Sequence, residues 1–194
     1  MPSFFVDFSS FQLALSVGHS VATSGDRIVV GADLDDSQGE LAYMNLFFAP
    51  SLQTLFSYAH LLFFHITGDD SGSAYLYRLS SGVWNLESKL VPPINPGTGN
   101  NQNYECGFSV DINKGGTTVV VGCPGAPKGG IAYVYDLQES RKWVQTEKLS
   151  VPSVTIRTGM RSGNSVTMST GEDNMAVVGY GESNGEVFSY RKDC

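Results

Sequence analysis

Ser109-Val110-Asp111-Ile112, a turn through Lys114-Gly115-Gly116, then Thr118-Val119-Val120-Val121-Gly122-Cys123 is the stretch that decides the fold. Short runs of β-branched and apolar residues lie between glycine-rich turns, the pattern of strands joined in a hairpin. A Val-Val-Val run reads as a strand covered on both faces. The same phrase stands upstream as Ser20-Val21-Ala22-Thr23, a turn at Ser24-Gly25-Asp26, and Arg27-Ile28-Val29-Val30-Gly31-Ala32. It returns downstream as Ser165-Val166-Thr167-Met168, a turn through Gly171-Glu172-Asp173, and Met175-Ala176-Val177-Val178-Gly179-Tyr180. Each copy has a glycine two residues before its serine: Gly18, Gly107 and Gly163. Self-similarity of this kind marks a repeat architecture.

A second phrase follows each copy. Ser73-Ala74-Tyr75-Leu76-Tyr77 matches Ile131-Ala132-Tyr133-Val134-Tyr135 and, more loosely, Glu186-Val187-Phe188-Ser189-Tyr190. Rings two positions apart point to one face of a strand. Two copies then run on into Trp84 with Lys89-Leu90 and Trp143 with Lys148-Leu149. Each unit therefore reads as a meander of about four antiparallel strands, and the third copy ends at Cys194 before any fourth strand. Gly107 and Gly163 are 56 residues apart, whereas Gly18 and Gly107 are 89 apart. The excess lies in a non-repeat insertion at 40–67. Tandem four-stranded units of this size fit the blades of a β-propeller.

The whole chain has 194 residues, enough for one domain or two small ones. Hydrophobic residues make up 41% and charged residues only 16%, which supports a packed core and excludes wholesale disorder. A net charge of -7 argues against a nucleic-acid partner, which wants a basic face. Met1 to Leu15 carries no Lys or Arg and includes Asp7, so no secretory signal is read there. The uncharged stretch from Leu41 to Thr67 is broken by Asn45, Pro50, Gln53, His60 and His65, which argues against a membrane span.

These phrases resemble the FG-GAP repeat, the blade unit of the integrin alpha-chain propeller. The family's Phe-Gly-x-Ser-Val reads here as Val17-Gly18-His19-Ser20-Val21, Cys106-Gly107-Phe108-Ser109-Val110 and Ser162-Gly163-Asn164-Ser165-Val166. The phenylalanine is missing from all three. The family's Gly-Ala-Pro reads Gly31-Ala32-Asp33, Gly122-Cys123-Pro124 and Gly179-Tyr180-Gly181. The closest matches are Gly25 to Ala32 and Gly72-Ser73-Ala74-Tyr75. The resemblance implies an all-β chain, 1–194, forming an incomplete β-propeller of about three four-stranded antiparallel blades. Blade 1 spans about 16–92 with its insertion, blade 2 about 105–152 and blade 3 about 161–190. It further implies a non-enzymatic binding module at the cell surface or outside the cell, making protein-protein or adhesion contacts through loops on one face. The alternative is a lectin-like propeller that stacks glycans on exposed Tyr and Trp.

The resemblance also raises a calcium site. Asp33-Leu34-Asp35-Asp36-Ser37-Gln38-Gly39 has the alternating acids of the integrin-type loop, with the glycine one place late. Asp33, Asp35 and Asp36 are the candidate ligands, since calcium takes several oxygens from a tight loop; the competing reading is a solvated acidic turn. His60 and His65 lack the spacing of a helical metal pair, and His19 sits at the variable position of its phrase. No G-x-S-x-G elbow or phosphate-binding loop occurs, and no catalytic signature is found.

The insertion holds Phe47, Phe48, Phe56, Phe63 and Phe64 and no charge after Glu40. It reads as a lid, a hydrophobic contact surface or a translated intron. Its removal would restore a continuous acidic loop, which favours the last. Residues 41–67 are expected to be helical or irregular, with strands resuming near Gly72.

A turn centred on Lys114-Gly115 would pair Ile112 with Thr117, Val110 with Val119 and Cys106 with Cys123. Opposed Cβ atoms lie about 4.5–5.5 Å apart, close to disulfide range. The alternative is a pair of small reduced core residues. Three blades fall short of the roughly four to eight that close a ring. The first and last blades are therefore expected to expose apolar faces and to self-associate through them.

Overall fold

The computed structural model describes residues 5–6, 17–33, 46–47, 71–93, 103–150, 160–169, 175–180 and 186–191. Among them the chain is all-β, with three antiparallel sheets of four, four and three strands. No closed barrel or ring is found among these residues.

The first sheet orders β2 (Val17–Ser24), β3 (Arg27–Ala32), β5 (Ser73–Ser80) and β6 (Val83–Leu90) side by side. The second orders β7 (Ser109–Ile112), β8 (Thr118–Cys123), β9 (Ile131–Leu137) and β10 (Trp143–Ser150) in the same way. The third holds β11 (Ser165–Met168), β12 (Met175–Tyr180) and β13 (Glu186–Arg191). Each sheet is a meander in chain order.

Strand alternation builds the core between sheets. Val29, Ala74 and Leu76 of the first sheet meet Val110, Val119, Val121 and Tyr135 of the second. The opposite face of the second sheet offers Val120, Ala132, Val134 and Leu149 to Val166, Met168 and Val178 of the third. The Val-Val-Val run of β8 is thus buried on both faces because its sheet lies between two others. The two junctions repeat each other. The Ser20 hydroxyl donates to the Gly107 carbonyl at 2.9 Å, and the Ser109 hydroxyl to the Gly163 carbonyl at 2.6 Å. Gly72 bridges Cys106 and Gly130 bridges Ser162, both in parallel sense. The Tyr135 hydroxyl donates to the Val91 carbonyl, and the Tyr190 hydroxyl to the Ser150 carbonyl.

Several expectations need correction. Ile112 pairs with Val119 and Val110 with Val121, two residues away from the expected register. The turn runs over five residues because the Asn113 side chain closes it, its Oδ1 accepting from the backbone amides of Thr117 and Thr118 at 2.8 and 3.1 Å. Cys106 lies before β7 and is joined to Cys123 by a disulfide, with the Cα atoms 4.0 Å apart. Gly107 between them adopts φ +93°, which turns the chain so that Cys106 comes back beside the end of β8. By chain entropy, closing a loop of 17 residues stabilises the fold by about 3 kcal/mol.

Within the insertion only Leu46–Phe47 are described. They form β4, which pairs with β1 (Phe5–Val6) apart from the three sheets. At these two positions the segment is strand, as their apolar, β-forming residue types allow; the rest of 41–67 lies outside the described residues. The strands of the first sheet resume at Ser73. The outer face of the first sheet is not open as expected. Val30, Ala32, Tyr75, Tyr77 and Trp84 form a buried cluster there. Val21 on the flanking strand and Val187 in the third sheet are exposed.

Candidate binding edge

Tight turns close one edge of the sheets, and the other edge carries the longer connections, such as 124–130 between β8 and β9. On that second edge a row of side chains crosses from the first sheet to the third. It starts at Asp33, directly after β3. Asp33 is 5% exposed, its Oδ2 lies 3.3 Å from Nδ1 of His19, and its Oδ1 is buried with no hydrogen-bond partner. Gly18 at φ +88° bends the chain at the start of β2 and places His19 on this edge. The His19 ring meets the Phe108 ring of the second sheet, centroids 4.2 Å apart and tilted by 37°. The Arg161 guanidinium lies 5.8 Å from the Phe108 centroid on the third-sheet side. Its Nη2 donates to the Glu105 carboxylate in an ion pair that spans the second junction.

Chemically the row is an aromatic platform between an imidazole and a guanidinium, with a carboxylate at each end. His19 and Arg161 are partly exposed, so the edge can offer charge and a ring to a partner while the buried groups hold their positions. Arg favours such sites because its planar fork both stacks on rings and hydrogen-bonds.

Of the candidate calcium ligands, Asp33 stands on this edge, and Asp35 and Asp36 lie outside the described residues. The unsatisfied Oδ1 of Asp33 is an acceptor that a cation could use, but one carboxylate already facing a histidine supplies few of the six to eight oxygens that calcium takes. Phe108, Arg161 and Glu105 carried no functional reading in the sequence. A signal was present: His19 and Phe108 occupy the same variable position, after the glycine of successive phrases, and equivalent positions in stacked units fall side by side. Tyr75, Tyr77, Tyr133, Tyr135 and Trp84 are buried in the sheets.

Fold and edge together define a stack of antiparallel sheets with a composite loop surface across its junctions. Comparison with family models finds no family that matches the chain, and comparison with curated proteins finds no relative.

Proposed function

We propose that the protein is a non-enzymatic binding module, its three sheets being successive blades of an incomplete FG-GAP-like propeller. It contacts a protein partner at the cell surface through the edge that carries His19, Phe108 and Arg161. The observation that carries this reading is the row itself: partly exposed charge and an aromatic ring, contributed by three sheets, on the edge with the longer connections. Support for the propeller arrangement comes from the repetition of the same serine-to-carbonyl bond and the same glycine bridge at both junctions. The Cys106–Cys123 disulfide suits an extracellular setting. Calcium, where bound, would use the unsatisfied oxygen of Asp33 together with Asp35 and Asp36 and would brace this edge.

The test probes labelled chain against an array of cell-surface ectodomains and against a glycan array. Saturable binding to an ectodomain, weakened at least tenfold by Phe108→Ala and by Arg161→Ala with the circular dichroism spectrum unchanged, supports the proposal. Glycan binding without ectodomain binding would move the reading to the lectin-like alternative. Binding that survives both substitutions would displace the site from this edge.

A further inference from the structure

The same turn opens all three sheets, and only one copy is bonded covalently. Gly18, Gly107 and Gly163 adopt φ of +88°, +93° and +92° there. The residue before each glycine is Val17, Cys106 or Ser162, and the residue that ends the second strand of each sheet is Ala32, Cys123 or Tyr180. Val17 pairs with Ala32 through the backbone. The Ser162 amide donates to the Gly129 carbonyl at 2.7 Å, just as the Cys106 amide donates to the Ser71 carbonyl at 3.1 Å. The first and third sheets thus form this turn, and the third its junction, without a disulfide.

The middle sheet differs in the backbone that leads into the turn. Asn103 adopts φ +57° and Glu105 φ +53°, whereas Arg161, the counterpart of Glu105 in the third sheet, stays out of the left-handed region. Lys128, in the connection that follows Cys123, adopts φ +65°. Left-handed backbone is costly for a residue with a Cβ and persists where the surroundings over-determine it. Here residues 103–105 lie directly on that connection. The Gly125 amide donates to the Tyr104 carbonyl at 3.1 Å, and a Cβ on Gly125 would collide with the Asn103 carbonyl. Cys106 and Cys123 bond the two segments together at this point. Glu105, next to Cys106, carries the carboxylate that pairs with Arg161.

We propose that the Cys106–Cys123 disulfide positions the binding edge and is not required by the fold: it sets Glu105, and through it Arg161, so the edge is complete only in the oxidised chain. The proposal rests on the reading of that edge as the contact surface. The bond holds 103–105 against the 124–130 connection and keeps the Glu105 carboxylate facing Arg161. Without it, 103–105 relaxes to ordinary backbone, the carboxylate withdraws, and Arg161 leaves its place beside Phe108. The contact between His19 and Phe108 stays, because Phe108 follows the turn that the other sheets make without a disulfide. Closing the bond removes two protons and two electrons from the two thiols; a disulfide oxidant takes them up and leaves as a dithiol. Both cysteines are buried, at 1% and 0% exposure, so the state is set as the chain folds.

The experiment uses the full chain carrying Cys194→Ser and compares it, by nuclear magnetic resonance, with the same chain carrying Cys106→Val and Cys123→Ala, the pair that stands in the first sheet. The double variant should keep its β-sheet circular dichroism and unfold cooperatively at a lower midpoint. Its Asn103 and Glu105 carbon shifts should move from left-handed to ordinary backbone values. The Arg161-to-Phe108 cross-peaks should vanish while those between His19 and Phe108 remain. A disulfide that only stabilises would leave both sets of cross-peaks in the folded variant, and that result overturns the proposal. If the double variant does not fold, the Cys194→Ser chain refolded in excess dithiothreitol takes its place; failure of both to fold makes the bond a requirement of the fold and overturns the proposal too. None of these readouts needs a partner, so they decide the proposal separately from the binding reading. Where an ectodomain binds, the double variant should bind it at least tenfold more weakly, and equal binding overturns the proposal.

Discussion

A Cβ placed on Gly31 would lie 1.9 Å from the Gly107 carbonyl oxygen, and one on Gly122 would lie 2.0 Å from that of Gly163. Backbone from the next sheet fills the space, so each glycine is a docking point between sheets. Gly179 holds the same position in the third sheet, but its nearest neighbour would be the Ser165 side chain at 3.5 Å, an ordinary contact. Three identical residues thus face unequal demands. Gly122→Ala should cost roughly 3 kcal/mol through forced separation of two sheets, and Gly179→Ala should stay within about 0.5 kcal/mol. Urea denaturation midpoints of the two variants measure the contrast; equal losses would mean that the junction does not depend on this approach. Sequence reading found all three glycines through their phrases. It did not find the row of side chains proposed as a binding edge, because His19 and Phe108 stand at a position where the repeat varies, and Arg161 and Glu105 lie outside the phrases. Pattern matching discards variable positions, and here those positions carry the exposed chemistry.

Within single sheets, the same three strands are tied by different chemistry in the two complete units. In the first, Arg27 of β3 donates to Glu87 of β6 through Nε and Nη2, at 2.8 and 2.9 Å. In the second, Asp136 of β9 accepts from Thr118 of β8 and Thr146 of β10 at 2.8 and 2.6 Å. An ion pair in one unit and a carboxylate accepting from two hydroxyls in the other fill one structural role, which is why alignment of residue types hid it. The carboxylate holds the Arg27 pKa above its ordinary value, and the side chain is nearly buried beside the Trp143 ring. Glu87→Gln should therefore cost about 2 kcal/mol, since it leaves a desolvated cation with only the longer contact to the exposed Asp26 carboxylate, at 3.6 Å. The pair between Arg78 and Asp26, both well exposed, is the control: Arg78→Gln, which leaves the Arg27 contacts in place, should change stability by less than about 1 kcal/mol. Chemical denaturation of both variants checks the ranking, and a neutral Glu87→Gln would show that Arg27 reaches water. Strand identity and order were legible at this scale because turns and alternation are local. Register was not, because it depends on the Asn113 side chain closing the turn and on outer-strand bulges that no residue type announces.

Across the whole molecule, each strand's alternation assigns one side chain in two to each junction, so the stack is held by repeated layers rather than by one central core. Tyrosines mark those layers. Burial raises the pKa of the Tyr133 hydroxyl to about 12, with Tyr104 nearby adding to the rise. Burial lifts Tyr135 and Tyr77 further and Tyr190 in the same direction. The unfolded chain ionises its tyrosines near 10.0. A hydroxyl whose folded pKa lies above its unfolded one contributes stability that is complete below the unfolded value and is lost as pH rises toward the folded value. Stability should accordingly hold up to about pH 9 and fall steeply between about 10 and 12, with Tyr133 alone accounting for about 3 kcal/mol across that window. Of the nine tyrosines, those between the sheets should fail to ionise until the fold gives way. Absorbance at the phenolate band and tryptophan fluorescence, followed together in an alkaline titration, check this. The expected result is a normal first phase from accessible rings, then a second phase coincident with unfolding. All nine hydroxyls titrating smoothly near pH 10 while fluorescence stays native would show that water reaches the junctions and that the sheets are not packed face to face.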